Sequence, residues 1–262
     1  MKNLLVDTHT HICDPVFDKD RDTVLDAAAQ AGVGAVIAVG ETLDDAARNL
    51  ELAQQHAMIR PAAGLYPTIL DKDQAERMAA FIRDNRSVLV AIGEVGLDYW
   101  KVKGTEGRAR QREIFGRFID LSNELDLPLN VHSRSAGRHA VNLLLAANAV
   151  KVQLHAFDGK AAAALPAVEA GYFFSIPPSV VRSRQKQKLV RRLPLTSLLV
   201  ETDSPVLSPA PGTRNVPANL PTAIDTVAKI KEIHVQEVVA QVAENTRRLY
   251  GDLVNTGGHH TS

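Results

Sequence analysis

The stretch "DTHTH" (7–11) places two histidines one residue apart at the end of the first apolar run of the chain. Alternate residues of a β-strand point to the same face, so His9 and His11 can both point toward one metal ion. Imidazole and carboxylate ligands suit zinc, manganese or magnesium-like ions. The stretch therefore predicts metal-assisted chemistry at the end of the first strand.

Four further acids and imidazoles lie at or near the carboxyl ends of later apolar runs: Glu94, His132, His155 and Asp203. A single strand-end histidine is more often a hydrogen-bonded structural residue than a metal ligand. Six such groups at the same end of successive strands change that interpretation, because crowding them together in the protein without a cation costs free energy. A carboxylate between two histidine-bearing groups can bridge two ions, which is an arrangement that splits phosphoesters.

These residues follow short apolar runs that alternate with segments of helical period. The runs occupy residues 4–9, 35–40, 60–66, 88–97, 127–133, 150–157, 172–177 and 198–205. The helical segments occupy residues 20–31, 43–56, 73–85, 108–126, 136–148, 160–170 and 179–192, and residues 221–251 are expected to form two more helices. Nearly continuous apolar strands indicate burial on both faces, as in a parallel sheet.

Eight β-α units in a chain of 262 residues predict a (β/α)8, TIM-like barrel. An open doubly wound sheet is the alternative, but the first strand is not followed by a glycine-rich phosphate-binding motif. Such a barrel builds its site at the carboxyl ends of its strands. We expect one domain over residues 1–254 and a fraying tail at 255–262, with the proline-rich loop after the eighth strand covering the site.

Composition limits the classes of partner and compartment. Thirty basic and thirty acidic residues give zero net charge, so a nucleic-acid contact has to rest on a local patch. A single cysteine excludes an internal disulfide and fits a reducing compartment. The amino-terminal stretch lacks the apolar core of a signal peptide or a membrane span. We expect a cytoplasmic protein, with the nucleus still open, that has no membrane contact and no obligate protein partner.

Several motifs in this order resemble those of the TatD family of metal-dependent deoxyribonucleases, which belongs to the amidohydrolase-type barrels. They are "DTHTH", "AIGEVGLDY", "NVHSRSAGR", "LHAFDG", "GYFFSIPPS" and "LLVETDSPVLSP". The resemblance runs from residue 6 to about 249 and is strongest to the subgroup of TatD domain-containing protein 3. It implies a hydrolase with two divalent ions, Mg²⁺, Mn²⁺ or Zn²⁺, that cleaves DNA, from a 3′ end in the favoured interpretation.

The resemblance also implies roles for individual residues. His9, His11, Glu94 and Asp203 would hold one ion. His132 and His155 would hold the second together with Glu94, which would bridge the pair. Glu94 and Asp203 would form the catalytic set, with Asp203 orienting and deprotonating the attacking water. Relatives often carry histidine where this chain has Tyr66, so the resemblance does not extend to an acid role at that position or to the choice of substrate.

A hydrolase of a different ester, such as an aminoacyl-tRNA, therefore remains the alternative function, and a barrel without activity ranks last. Four residues are candidates for substrate contact: Tyr66, Arg134, Arg138 and Arg214. The basic segment 182–192 is either a solvated helix face or a nucleic-acid contact. Tyr99 and Trp100 either stack on a base or pack in their loop. Asp7 either holds a ligand histidine or accepts backbone N–H groups, and Glu201 is expected to lie behind the ligands.

Overall fold

The computed structural model describes residues 5–254. Within them, eight strands pair in parallel in the order of the sequence. They are β1 (Leu5–Thr10), β2 (Val33–Ala38), β3 (Ile59–Ala63), β4 (Ala91–Gly96), β5 (Leu129–His132), β6 (Val152–Leu154), β7 (Phe173–Ile176) and β8 (Leu198–Val200). Sequential parallel pairing with a helix between successive strands is the (β/α)8 architecture, so the predicted fold class is confirmed.

Nine α-helices surround or follow the strands in the described part of the chain. They are α1 (Arg21–Gln30), α2 (Leu43–Gln55), α3 (Lys72–Asp84), α4 (Thr105–Leu125), α5 (Gly137–Ala146), α6 (Ala161–Glu169), α7 (Arg184–Arg192), α8 (Leu220–Lys231) and α9 (Val235–Tyr250). Side-chain caps fix several of their starts: Thr42 and Asp45 form a capping box at α2, and Asp71 caps α3. The two helices expected in the last stretch are both present.

The segment after β8 brings the two ends of the barrel together. The Asp203 N–H donates to the carbonyl of His9 at 2.9 Å, and the His11 N–H donates to the carbonyl of Ser204 at 2.8 Å. The first and last strands therefore meet at the edge where the predicted ligands lie. This contact places His9, His11 and Asp203 side by side although they are far apart in the sequence.

The buried faces of the strands account for the apolar runs in the sequence and carry residues of the site. The apolar residues of the strands are buried between barrel and helices, as the nearly continuous runs predicted. The barrel interior also holds a polar layer of Asn130, Gln153 and Ser175, all fully buried. Asn130 lies on β5 two residues before His132, and Gln153 lies on β6 two residues before His155, which follows that strand. Polar layer and predicted ligands thus share the inner face of the barrel.

The helix predicted over residues 179–192 begins later in the structure than the prediction placed it. Residues Pro178–Val181 form a 3-10 turn, and α7 begins only at Arg184, where the Ser183 side chain accepts from the backbone N–H of Lys186 at 3.3 Å. Serine is a strong helix-capping residue, so it sets the start of the helix. The strands β3 to β8 are also shorter than their apolar runs, because the run ends form the loops that carry the site.

No helix among residues 5–254 is long and apolar enough to cross a membrane. The predicted single domain over residues 1–254 stays a prediction. The tail expected at 255–262 lies outside the described residues.

Candidate metal centre

All six predicted ligands lie at the carboxyl end of the barrel. His9 is in β1 and His11 follows it directly, while Glu94 is inside β4. The other three lie at or just after strand ends: His132 closes β5, His155 follows β6 and Asp203 follows β8. Five of the six are buried and His11 is partly buried. The barrel topology alone thus collects them from five strands.

The first group comprises His9, His11 and Asp203. Oδ1 of Asp203 lies 3.4 Å from Nε2 of His9 and 3.4 Å from Nε2 of His11. The two Nε2 atoms are 3.3 Å apart. One ligand atom from each residue lies within 4.8 Å of the others, a spacing that suits one metal ion.

The second group comprises Glu94, His132 and His155. Oε1 of Glu94 lies 2.5 Å from Nδ1 of His132 and 2.8 Å from Nε2 of His155. Those two nitrogens are 3.2 Å apart. Two imidazole nitrogens and a carboxylate oxygen again converge on one point.

Glu94 connects the two groups through its two oxygens. While Oε1 faces His132 and His155, Oε2 lies 3.6 Å from Nε2 of His11. Two glycines allow this placement of Glu94. A Cβ on Gly93 would lie 2.6 Å from the Asn130 side chain, and one on Gly96 would lie 2.1 Å from the carbonyl oxygen of His132. Close approach of β4 to β5 therefore requires glycine on both sides of the carboxylate.

Hydrogen bonds behind the ligands orient the imidazoles. Oδ1 of Asn130 lies 2.8 Å from Nδ1 of His9, which leaves Nε2 of His9 facing Asp203. Oδ2 of Asp98 lies 3.3 Å from Nε2 of His132, which leaves Nδ1 of His132 facing Glu94. Partners of this kind fix the tautomer and ring orientation of metal-binding histidines.

The structure settles the open question about Asp7. The carboxylate accepts from the backbone N–H of Thr202 at 2.8 Å, from the Thr202 hydroxyl at 2.5 Å and from the backbone N–H of His9 at 3.3 Å. Asp7 therefore ties β1 to the segment after β8. Burial raises its pKa, and the hydrogen bonds from Thr202 limit that rise to about 7.

Glu201 lies behind the ligands, as expected from the sequence. Its carboxylate accepts from the Ser175 hydroxyl at 2.5 Å and from the Ala156 N–H at 2.7 Å. It also lies 3.8 Å from Nδ1 of His155. Burial raises the pKa of Glu201 to about 7.

The charges of the site favour positive charge at its centre. Burial by itself lowers the pKa of His9, but the hydrogen bond to Asp203 and the charge of Glu94 raise it to about 10. Burial also lowers the pKa of His132, but Glu94 and Asp98 raise it to about 9. The carboxylates thus stabilise protons on these imidazoles, where a divalent cation would supply the positive charge instead. The donor set therefore fits divalent metal ions.

A cavity of about 490 Å³ opens above the ligands. Tyr66 and Arg134 line it, so two of the four residues predicted to contact substrate lie at the site. Burial and the nearby Glu94 carboxylate raise the pKa of Tyr66 above its usual value, so its phenol stays protonated and can donate a hydrogen bond. Residues 205–207 of the proline-rich loop also line the cavity, as expected of a loop that covers the site.

The other two predicted contacts lie elsewhere. Arg214 donates to Oδ1 and Oδ2 of Asp20 at 3.0 and 2.5 Å and to the Val16 carbonyl at 2.9 Å, so its guanidinium is paired at the outer edge of the loop. Arg138 is exposed on α5. Neither lines the cavity.

Glu41 and Lys186 also line the cavity; Glu41 was missed in the sequence, and Lys186 was included only as part of the basic segment 182–192. Glu41 follows β2, and Oε1 of Glu41 lies 3.8 Å from Nδ1 of His11. Lys186, on α7, donates to the carbonyl of Ala156 at 3.0 Å and lines the cavity. An acid after the second strand was the available signal for Glu41, and the basic segment 182–192 was the signal for Lys186.

Comparison with known proteins agrees with this geometry. Residues 6–251 match the profile of the "TatD related DNase" family. This chain belongs to that family. Human "Deoxyribonuclease TATDN3" is 43% identical over 95% of each chain. An "Uncharacterized metal-dependent hydrolase" of Methanocaldococcus jannaschii is 36% identical, with 94% of this chain and 96% of that protein covered.

A solved structure of a TatD family member also has the same fold. The crystal structure of YJJV, described as a TatD homolog from Escherichia coli K12, superposes with a TM-score of 0.87 at 27% identity. The match covers 95% of this chain and 98% of that one. The chain is therefore a metal-dependent hydrolase of the TatD DNase family, as the sequence motifs predicted.

Proposed function

We propose that this protein is a deoxyribonuclease that hydrolyses phosphodiester bonds at a 3′ end of DNA with two divalent ions, Mg²⁺, Mn²⁺ or Zn²⁺. The observation that carries the proposal is the division of the Glu94 carboxylate. One oxygen faces His132 and His155, and the other faces the group of His11 and Asp203. A carboxylate shared between two ligand groups favours a pair of ions over a single one.

Bound divalent ions would lower the pKa of a water molecule and neutralise charge on the phosphoryl oxygens. His9, His11 and Asp203 would hold one ion, His132 and His155 the second, and Glu94 both. Hydrogen bonds from His11 and His9 outweigh the effect of burial and hold the pKa of Asp203 below its usual value. Asp203 therefore stays ionised. We assign it the orientation of the attacking water and the acceptance of its proton, which the metal ions would make more acidic.

The chain offers several donors to phosphate oxygens around the cavity. Arg134 and Lys186 line it and carry positive charge, and Tyr66 presents a neutral phenol. An arginine fork matches two phosphate oxygens, while lysine acts as a point charge. We assign substrate contact to these three side chains. Arg214 is left out because Asp20 holds it, and Arg138 because it lies outside the cavity.

The test is cleavage of a 3′-labelled and a 5′-labelled single-stranded oligonucleotide after chelation and re-addition of each metal. Mg²⁺ or Mn²⁺ should restore cleavage, and the 5′-labelled strand should shorten stepwise from its 3′ end. Glu94→Ala should abolish cleavage while the circular dichroism spectrum of the protein is retained. Cleavage by Glu94→Ala at the parent rate would contradict the proposal.

Hydrolysis of another ester, such as an aminoacyl-tRNA, is the second candidate. It is favoured by the acids at the cavity, since Glu41, Asp14 and Asp158 would repel a long polyanion. A panel of oligonucleotides, p-nitrophenyl phosphodiesters and aminoacyl-tRNA, each with Mg²⁺, Mn²⁺ and Zn²⁺, separates the candidates. Turnover of acyl esters alone would replace the nuclease assignment. We keep the cytoplasm as the proposed location, supported by the low cysteine content.

A further inference from the structure

Trp100 is the only tryptophan of the chain and is 49% exposed beside the cavity. It lies in the loop between β4 and α4. The Arg134 guanidinium carbon lies 3.8 Å from the centroid of the Trp100 ring, a stacking distance. Because Arg134 also lines the cavity, one side chain connects the exposed ring to the metal centre.

The Trp100 loop is fixed relative to the metal centre. Oδ1 of Asp98 accepts from the backbone N–H groups of Trp100 at 2.9 Å and Lys101 at 2.7 Å. The other carboxylate oxygen of Asp98 lies 3.3 Å from Nε2 of His132. One carboxylate therefore holds both the loop that carries Trp100 and a predicted metal ligand. An exposed ring on such an anchored loop is already placed for binding.

A second anchor joins the loop to the segment that follows β5. The backbone N–H of Tyr99 donates to the carbonyl of Arg134 at 2.9 Å. Tyr99 itself is buried, and its hydroxyl accepts from Arg112 at 3.2 Å. The stack of Trp100 and Arg134 is thus supported from the backbone as well as through the side chains.

The chemistry around Trp100 matches a nucleobase attached to phosphates. Aromatic rings and arginine planes stack on bases of any sequence, and neighbouring cations bind the phosphate backbone. Arg134 and Lys101 supply those cations, and Nζ of Lys101 lies 5.0 Å from the ring centroid. An aromatic surface with cations 3.8 and 5.0 Å from its ring centroid, next to a phosphodiester site, suits a nucleotide better than an uncharged apolar ligand.

We propose that Trp100 and Arg134 form a stacking platform that receives an unpaired nucleobase next to the scissile phosphate. The inference rests on the proposed phosphodiesterase function and assigns the contact with a base of the substrate to Trp100 and Arg134. A base inside a duplex has both faces covered by its neighbours, so it offers no face to Trp100. Arg134 then serves two purposes, because its plane continues the stack while its N–H groups reach the phosphate.

Trp100 is its own probe because the chain has no other tryptophan. Tryptophan fluorescence of the Mg²⁺-loaded protein is titrated with a phosphorothioate single strand, which is cleaved slowly, and with an abasic strand of the same length and linkage. The strand with bases should quench the fluorescence by more than half at saturation, as ring stacking does, and the abasic strand should not. Equal quenching by both strands would overturn the platform. So would the absence of quenching by the strand with bases when the fluorescence anisotropy of a labelled strand reports binding.

Kinetics give the second measurement. Trp100→Ala should raise KM for a single-stranded oligonucleotide about tenfold, the usual effect of losing one stacked base. It should thereby reduce the preference for that strand over the abasic strand by the same factor. Trp100→Phe keeps an aromatic face and should restore most of the preference. An unchanged preference in Trp100→Ala would show that the ring does not bind a base.

Failure of the platform and failure of the nuclease assignment are distinguishable. If the parent protein cleaves the oligonucleotide while bases do not quench Trp100 and Trp100→Ala leaves KM unchanged, the nuclease function is kept and the platform is excluded. A parent protein that cleaves no oligonucleotide with any of the three metals loses the nuclease function. In that case quenching of Trp100 by bases alone still decides whether the platform exists.

Discussion

Oδ1 of Asn130 lies 2.8 Å from Nδ1 of His9, deep in the barrel and beneath the predicted ligands. The Asn130 amide nitrogen in turn donates to the carbonyl of Thr8 at 2.8 Å. Asn130 is therefore held from β1 while it fixes the ring of His9. This pair shows how the polar layer in the barrel interior determines which imidazole nitrogen faces the site.

Asn130→Ala should weaken metal binding about 10- to 100-fold, because His9 loses the acceptor that holds its ring and tautomer. Isothermal titration of the metal-free protein with Mn²⁺ and Zn²⁺ measures the effect. Asn245→Ala is the matched control, since Asn245 is equally buried but donates to the Leu195 and Leu198 carbonyls. Equal metal affinities for the two variants would mean that Asn130 serves only the fold.

Tyr66→Phe should lower kcat/KM about tenfold, because a hydrogen bond to a phosphate oxygen is worth about 1.5 kcal/mol when the acceptor is charged. Tyr66→His should retain the donor and introduce a group that titrates near neutral pH. Its pH–rate profile should gain a limb between about pH 6 and 7. If Tyr66→Phe matches the parent in kcat/KM, the phenol does not contact substrate.

Lys186→Met should raise KM for a phosphodiester about tenfold, since the ammonium group lies at the cavity and the variant keeps the length of the side chain. Lys188→Met is the control, because Lys188 is exposed on the same helix. Steady-state kinetics of both variants at two ionic strengths measure the difference. A KM that rises equally in both would indicate a diffuse basic surface instead of a contact made by Lys186.

Stability should fall above pH 10 in part through Tyr172, which is buried and donates to the Ala149 carbonyl at 2.8 Å. Burial raises the pKa of Tyr172 above its usual value of about 10. The folded chain therefore keeps a proton that the unfolded chain loses, and the free energy of unfolding decreases as the pH rises.

Tyr172→Phe tests this assignment. It should cost about 1 kcal/mol at pH 8, where only the hydrogen bond is lost. Between pH 8 and pH 10.5, the free energy of unfolding should decrease less for the variant than for the parent. Urea unfolding of both chains in the presence of a chelator measures the difference. Parallel pH dependences for the two chains would exclude Tyr172 as the cause.

The sequence predicted the barrel and the convergence of the six ligands for one physical reason. A strand ends at a known edge of a parallel barrel, and residues two apart share a face, so His9, His11 and His155 could be placed without coordinates. Lys186 could not be placed in this way, because the direction of its side chain depends on where α7 starts and how that helix is rotated. The pairing of Arg214 with Asp20 could not be predicted either, because a long loop folds back and pairing over 194 residues leaves no pattern in the chain.

The contact between Asp7 and Thr202 spans 195 residues and joins the beginning of the barrel to its end. A chain made from its amino terminus exposes His9 and His11 early, while Asp203 emerges from the ribosome after the eighth strand. The nascent protein consequently has no complete first ligand group during most of its translation. Completion of the first ligand group therefore requires the eighth strand, and an early-terminated product lacks one of its three residues.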